Sequence, residues 1–200
     1  MVAIILGNGE SRLGRNYRAE FPDAFVYGCN GAYKESPDAL VCVDTYMQHL
    51  IYKSGYCKDN LCYFSEWAPI PSGAVEHIIS ALKGEGLPVI QNTRDTKYGL
   101  SRTQAVISGC TGANYVTWVD DEDMVIKIPE VDISSGGNAL LHACESKRFN
   151  EIILLGFDGM SAENIYQNDE GYERSTPRNE WVQERNSIME KYNHIKFRYL

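Results

Sequence analysis

A chain of 200 residues, 44% hydrophobic and 23% charged, has the makeup of one folded domain with a sizeable core. Its formal net charge of −8 opposes nucleic acid and anionic membrane surfaces as partners. No apolar run reaches the length of a membrane span or forms a signal peptide. The 6 cysteines include no C-x-x-C pair, so free thiols in a cytoplasmic protein without a structural metal are expected.

The first predicted strand, Val2–Leu6, is apolar and β-branched and breaks into Gly7-Asn8-Gly9-Glu10-Ser11-Arg12. A buried strand ending in glycine can set backbone N–H groups, an amide and a hydroxyl around a phosphate or nucleotide. The spacing is neither G-x-G-x-x-G nor the Walker pattern, and an ordinary tight turn is the competing account. Further strands are predicted over 24–27, 40–43, 61–64, 88–91, 115–119, 124–128, 152–155 and 195–199. Helices are predicted over 46–53, 75–83, 138–147 and 179–192. The alternation gives an α/β fold: a Rossmann-like, mostly parallel sheet flanked by helices, in a single domain over 1–200. Residues 95–130 contain no clear amphipathic helix. The runs 115–119 and 124–128 flank four consecutive acids at 120–123, which reads as an antiparallel hairpin or lid inserted at about 95–130.

Four strand ends share one grammar. Beyond the first, 24–27 ends in Gly28-Cys29-Asn30-Gly31, 40–43 in Asp44-Thr45, and 152–155 in Gly156-Phe157-Asp158-Gly159. Open α/β sheets place ligands at such ends. Asn8 and Asn30 each offer an amide donor and acceptor, with local turn chemistry as the alternative. Asp44 and Asp158 are the candidate catalytic carboxylates, although Asp44 also suits the N-cap of the helix that follows. Ser134, Ser135, Gly136 and Gly137 precede a helix and suit an anion cradle, or an N-cap alone. His142, among apolar neighbours in that helix, reads as packed. The long polar segment 159–177 reads as a lid or as disordered chain, with Tyr166, Tyr172, Arg174 and Arg178 available to a phosphate or leaving group, or else surface decoration.

The motifs G-N-G-x-S at 7–11, G-C-N at 28–30, P-D-x-L-V-x-V-D at 37–44, S-S-G-G at 134–137 and E-I-x-L-L-G-F-D at 151–158 together resemble the Campylobacter-type bacterial sialyltransferases. They also resemble the wider family of unknown function that includes the archaeal 6-hydroxymethylpterin diphosphokinases. The resemblance implies a Rossmann-like fold and a bound nucleotide. It implies cytidine-nucleotide contacts from Asn8 and Asn30, and a nucleotide- or sugar-binding turn at Ser135, Gly136 and Gly137. Tyr166 falls near one of two phosphate-holding tyrosines, and Met160 stands near the place of the other. The sialyltransferase base is a histidine, and 159–190 contains none. In the diphosphokinase branch Asp38 and Asp44 stand where aspartates hold Mg²⁺, with Thr45 in place of a paired aspartate.

The expected function is a nucleotide-dependent transferase, a glycosyltransferase with a nucleotide-activated sugar of the CMP type as donor and a small-molecule or glycan acceptor. Residues Gly7, Asn8, Gly9, Ser11, Asn30 and 134–137 would hold the nucleotide. No metal ligands are assigned, and Mg²⁺ is an addition the reaction does not require. A homo-oligomer is compatible with the sequence. The alternatives are a non-catalytic nucleotide or small-molecule binder, and a pterin-type diphosphokinase using ATP and Mg²⁺.

Overall fold

The computed structural model describes residues 1–65, 67–92, 104–110, 112–119, 123–129, 132–158, 164–169, 172 and 179–200. In chain order its elements are β1 (Val2–Leu6), α1 (Tyr17–Glu20), β2 (Phe25–Cys29), β3 (Ala39–Cys42), α2 (Thr45–Lys53), β4 (Cys62–Phe64), β5 (Ile70–Pro71), α3 (Ser72–Gly84), β6 (Val89–Asn92), β7 (Gln104–Cys110), β8 (Ala113–Val119), β9 (Val125–Lys127), α4 (Ser135–Glu145), β10 (Glu151–Leu155), α5 (Asn179–Lys191) and β11 (Lys196–Tyr199). A 3-10 turn at Glu10–Arg12 follows β1, and a longer 3-10 helix at Asn30–Glu35 follows β2. The chain divides into two compact units, Met1–Val41 with Val131–Leu200, and Cys42–Glu130. Sequence alone drew a single domain with its insertion near 95–130.

In the first unit the strands run β11-β10-β1-β2-β3, all parallel, with Leu6 beside Leu155 on one flank and Gly28 on the other. This is the doubly wound order 3-2-1-4-5 of an open α/β sheet, and the strand order reverses between β1 and β10. Ala3, Ile4, Ile5 and Leu6 of β1, and Ile152 to Leu155 of β10, are buried. Strands covered on both faces need such continuous apolar runs rather than alternation, which is why these two were plain in the sequence. On one face Ile4, Leu6, Val26, Ile153 and Leu155 pack with Tyr17, Ala32 and Tyr166. α4 lies against β1 and β2 and buries Leu140, Ala143 and Cys144.

The second unit pairs β4 with β9 in parallel and carries a four-stranded mixed sheet in the order β5-β7-β8-β6. β7 pairs antiparallel with both β5 and β8, while β6 runs parallel to β8. The expected antiparallel hairpin in the middle of the chain is present as β7 with β8, and what is corrected is the partner: 115–119 does not pair with 124–128. β8 pairs with β7 and β6, and the chain beyond the acidic stretch is committed to β4 through Met124, whose carbonyl accepts from the Cys62 N–H at 2.8 Å. An apolar pattern fixes which face a strand buries but does not name its partner. α3 covers the four-stranded sheet with Val75 and Ile79 against Ala105 and Val116. On α2, buried His49 places Nε2 2.8 Å from Ser108 Oγ, and its Nδ1 meets Thr117 Oγ1. Burial holds its imidazole down at about 4, so it is neutral near pH 7.

Candidate functional site

The candidate residues gather at the carboxyl ends of β1, β2 and β10 in the first unit. The loops after β1 and β10 meet directly: Gly7 N–H donates to the Leu155 carbonyl at 2.8 Å and Gly9 N–H to the Gly156 carbonyl at 2.9 Å. The Asp158 carboxylate closes this junction. It accepts from the Ser11 N–H at 2.8 Å and from the Ser11 hydroxyl. A Cβ at position 9 would stand 2.5 Å from the Asp158 carboxyl, so only glycine lets the carboxylate lie so close. Asp158 is thus already engaged. Asp44, in the second unit, accepts from the Met47 N–H at 2.7 Å and caps α2, the alternative role its position suggested.

Beside this junction Arg12 is buried under the loop. Its Nε donates to the Gly7 carbonyl at 2.6 Å, one terminal nitrogen to Glu35 at 2.7 Å, and the other to the Tyr166 hydroxyl at 2.8 Å. The Tyr166 hydroxyl also donates to Glu35, and Tyr17 O–H reaches the same carboxylate at 3.3 Å. Burial works to raise the Glu35 carboxyl, but the hydrogen bonds from Arg12 and Tyr166 outweigh it and hold the group below its ordinary range. Burial acts first on Tyr166 as well, and the neighbouring Glu35 adds to it, so the phenol stays protonated. The hydroxyl expected to meet a leaving phosphate is therefore occupied by the chain's own Arg12 and Glu35.

Tyr172 does something different. Its hydroxyl accepts from Asn8 Nδ2 at 2.9 Å and from the Gly31 N–H at 2.7 Å. The Tyr166 and Tyr172 rings, 5.8 Å apart, lie over Gly31, where a Cβ would come within 2.7 Å of Tyr166 and 2.9 Å of Tyr172. Asn8 Oδ1 is buried and has no hydrogen-bond partner. An amide acceptor left this way costs about 1–3 kcal/mol. Two N–H donors from β1 and β2 therefore converge on one oxygen, with an acceptor held ready next to them. Such a set suits a ligand that combines a carbonyl or phosphate oxygen with an amino or hydroxyl group, as a nucleoside does.

Asn30 sits in the left-handed region at φ 51° and accepts from Ser135 Oγ at 2.9 Å, linking β2 to the first turn of α4. Ser134 caps that helix, with its Oγ accepting from the Gly137 N–H at 3.0 Å. Glu184 on α5 accepts from both the Ser134 N–H, at 3.1 Å, and the Ser134 hydroxyl, at 2.8 Å. The expected anion cradle thus holds an anion, and it is a side chain of this protein. Next to Glu184, Arg185 is only 7% exposed and lies over the Phe157 ring at 5.0 Å, while its Nε has no partner. His142 places Nδ1 3.2 Å from the Tyr27 hydroxyl, and burial lowers its pKa, in keeping with a packed histidine.

The structure brings together Gly7, Asn8, Gly9, Ser11, Asn30, Ser134 to Gly137, Asp158, Tyr166 and Tyr172. Arg174 and Arg178 lie outside the described residues. Asp38, just before β3, is paired with Arg18 at 3.0 Å and accepts from the Val26 N–H at 2.7 Å. Among the described residues no group of three or more metal-binding side chains occurs, and no helix is long and apolar enough to cross a membrane. Sequence reasoning missed Glu35 and Glu184. Both are ordinary surface-type acids in sequence, and no local signal marks their partners.

No family model, curated protein or solved structure matches this chain. The resemblance to sialyltransferases and pterin diphosphokinases stands on its motifs alone.

Proposed function

We propose that the protein is a nucleotide-dependent transferase whose first unit binds a nucleotide-activated sugar, with a CMP-type donor the first to test. The observation that carries this is the Asn8 amide at the end of β1. Its Nδ2 and the Gly31 N–H converge on a phenol oxygen that a ligand oxygen can replace, and its Oδ1 is buried without a partner. The position beside the switch point of a parallel sheet supports it, because ligands of open α/β folds bind there. Five buried free cysteines accord with a cytoplasmic setting. The test is calorimetric titration of CMP, UDP, GDP and ADP. We expect one of them to bind, and Asn8→Ala to weaken that binding by about 10-fold or more while the melting temperature holds. Absence of binding by all four sinks the proposal.

A second reading, a nucleotide-binding protein without catalysis, is favoured by one specific finding. Both candidate carboxylates already serve the fold, Asp158 at Ser11 and Asp44 at the α2 cap. Prolonged incubation with CMP-activated sugar and an acceptor separates the two. Transfer or hydrolysis supports the transferase, and donor recovered intact supports the binder.

A further inference from the structure

Arg185 is a nearly buried charged group whose Nε has no hydrogen-bond partner. Burying a guanidinium without a counter-charge is costly. Yet the residue is 7% exposed, its Nε makes no hydrogen bond, and its contact is with the face of Phe157. A cation–π contact leaves the Nε–H donor unmatched. Phe157 also touches the first turn of α4, since a Cβ on Gly136 would be 2.9 Å from its ring. The buried cation therefore lies beside the amino end of an 11-residue helix, whose first N–H groups and dipole favour an anion. The anion now there is the Glu184 carboxylate on Ser134, one residue before Arg185 on the same helix.

We propose that Arg185 and the first turn of α4 form the phosphate-binding half of the site, and that Glu184 is the resident anion a phosphate displaces. The ligand class is a phosphate or pyrophosphate, which carries more charge than one carboxylate and can bond Ser134 and the Arg185 fork together. The assignment deepens the nucleotide reading and rests on it for the rest of the ligand. On that reading Asn8 and Gly31 meet the nucleoside, while Arg185 and Ser134 meet the phosphate.

The test uses the full chain and three probes, inorganic pyrophosphate, cytidine and CMP, each titrated calorimetrically at fixed ionic strength. Pyrophosphate is expected to bind wild type. Arg185→Met should weaken it about 10- to 100-fold, and Glu184→Gln should tighten it about 10-fold by removing the competing charge. Cytidine affinity should be unchanged in both variants and lost in Asn8→Ala. Failure of wild type to bind pyrophosphate, or wild-type affinity in either Arg185→Met or Glu184→Gln, overturns the phosphate assignment. CMP binding that survives those outcomes leaves the nucleotide reading standing. Pyrophosphate binding that depends on Arg185, without cytidine or CMP binding, supports the anion site and removes the nucleotide reading. Should Arg185→Met fail to fold, Glu184→Gln decides the matter alone.

Discussion

Two arginines of the first unit are buried to nearly the same degree, Arg12 at 6% exposure and Arg185 at 7%, and their surroundings are opposite. Arg12 spends its donors on a carbonyl, a carboxylate and a phenol, all supplied by the chain. Arg185 has an aromatic face and an orphaned Nε. The desolvation of the first is offset within the fold, and that of the second is not. Burial of a charge therefore does not say whether the group serves stability or a ligand; the inventory of its partners does.

Substitutions can break that contrast. The largest effect should come from Arg12→Met, which strands a half-buried Glu35. Urea denaturation is expected to show a loss of about 3–5 kcal/mol, and a loss below about 1 kcal/mol would make the two arginines equivalent. Acid should act on the same pair. The folded Glu35 carboxyl titrates below its ordinary value of 4.5, so the stability it contributes is complete above that pH and is lost as pH falls through the folded value. Melts taken against pH should show this component in wild type and in Arg185→Met, and should show it weakened in Arg12→Met, where burial works against the remaining tyrosine hydrogen bonds. The smallest effect on stability is expected from Arg185→Met itself. A change within about 1 kcal/mol, in either direction, is predicted, because methionine removes a buried cation whose Nε makes no hydrogen bond. A loss as large as that of Arg12→Met would place Arg185 among the structural groups.

The contrast also explains what could be read without coordinates. β1 and β10 announce themselves through unbroken apolar, β-branched runs, and the glycines after them mark where backbone turns back. β7 was not anticipated, because only Ala105, Val106 and Ile107 interrupt a polar stretch before Ser108 and Gly109. The polar loop at 7–12 was legible as a loop rich in hydrogen-bonding groups. Which of those groups remain unspent was not legible. Glu35 lies 23 positions from Arg12, Tyr166 lies 154 away, and Glu184 stands 50 from Ser134. Such pairs are set by the topology of the sheet and by which helix end comes to rest on which loop. Local patterning carries no record of either.

Asn30 poses a separate question of what a position is optimised for. At φ 51° an asparagine is tolerated and a glycine is at ease, so by backbone preference alone glycine suits the turn after β2 better. Its amide is nonetheless the acceptor for Ser135 and ties the turn after β2 to the first turn of α4. Asn30→Gly is therefore a substitution in which conformational comfort and chemical competence diverge. The backbone relaxes in the turn between the second strand and the cradle helix, while the Ser135 hydroxyl loses its acceptor and the two elements are left to their other contacts, such as Tyr27 with His142.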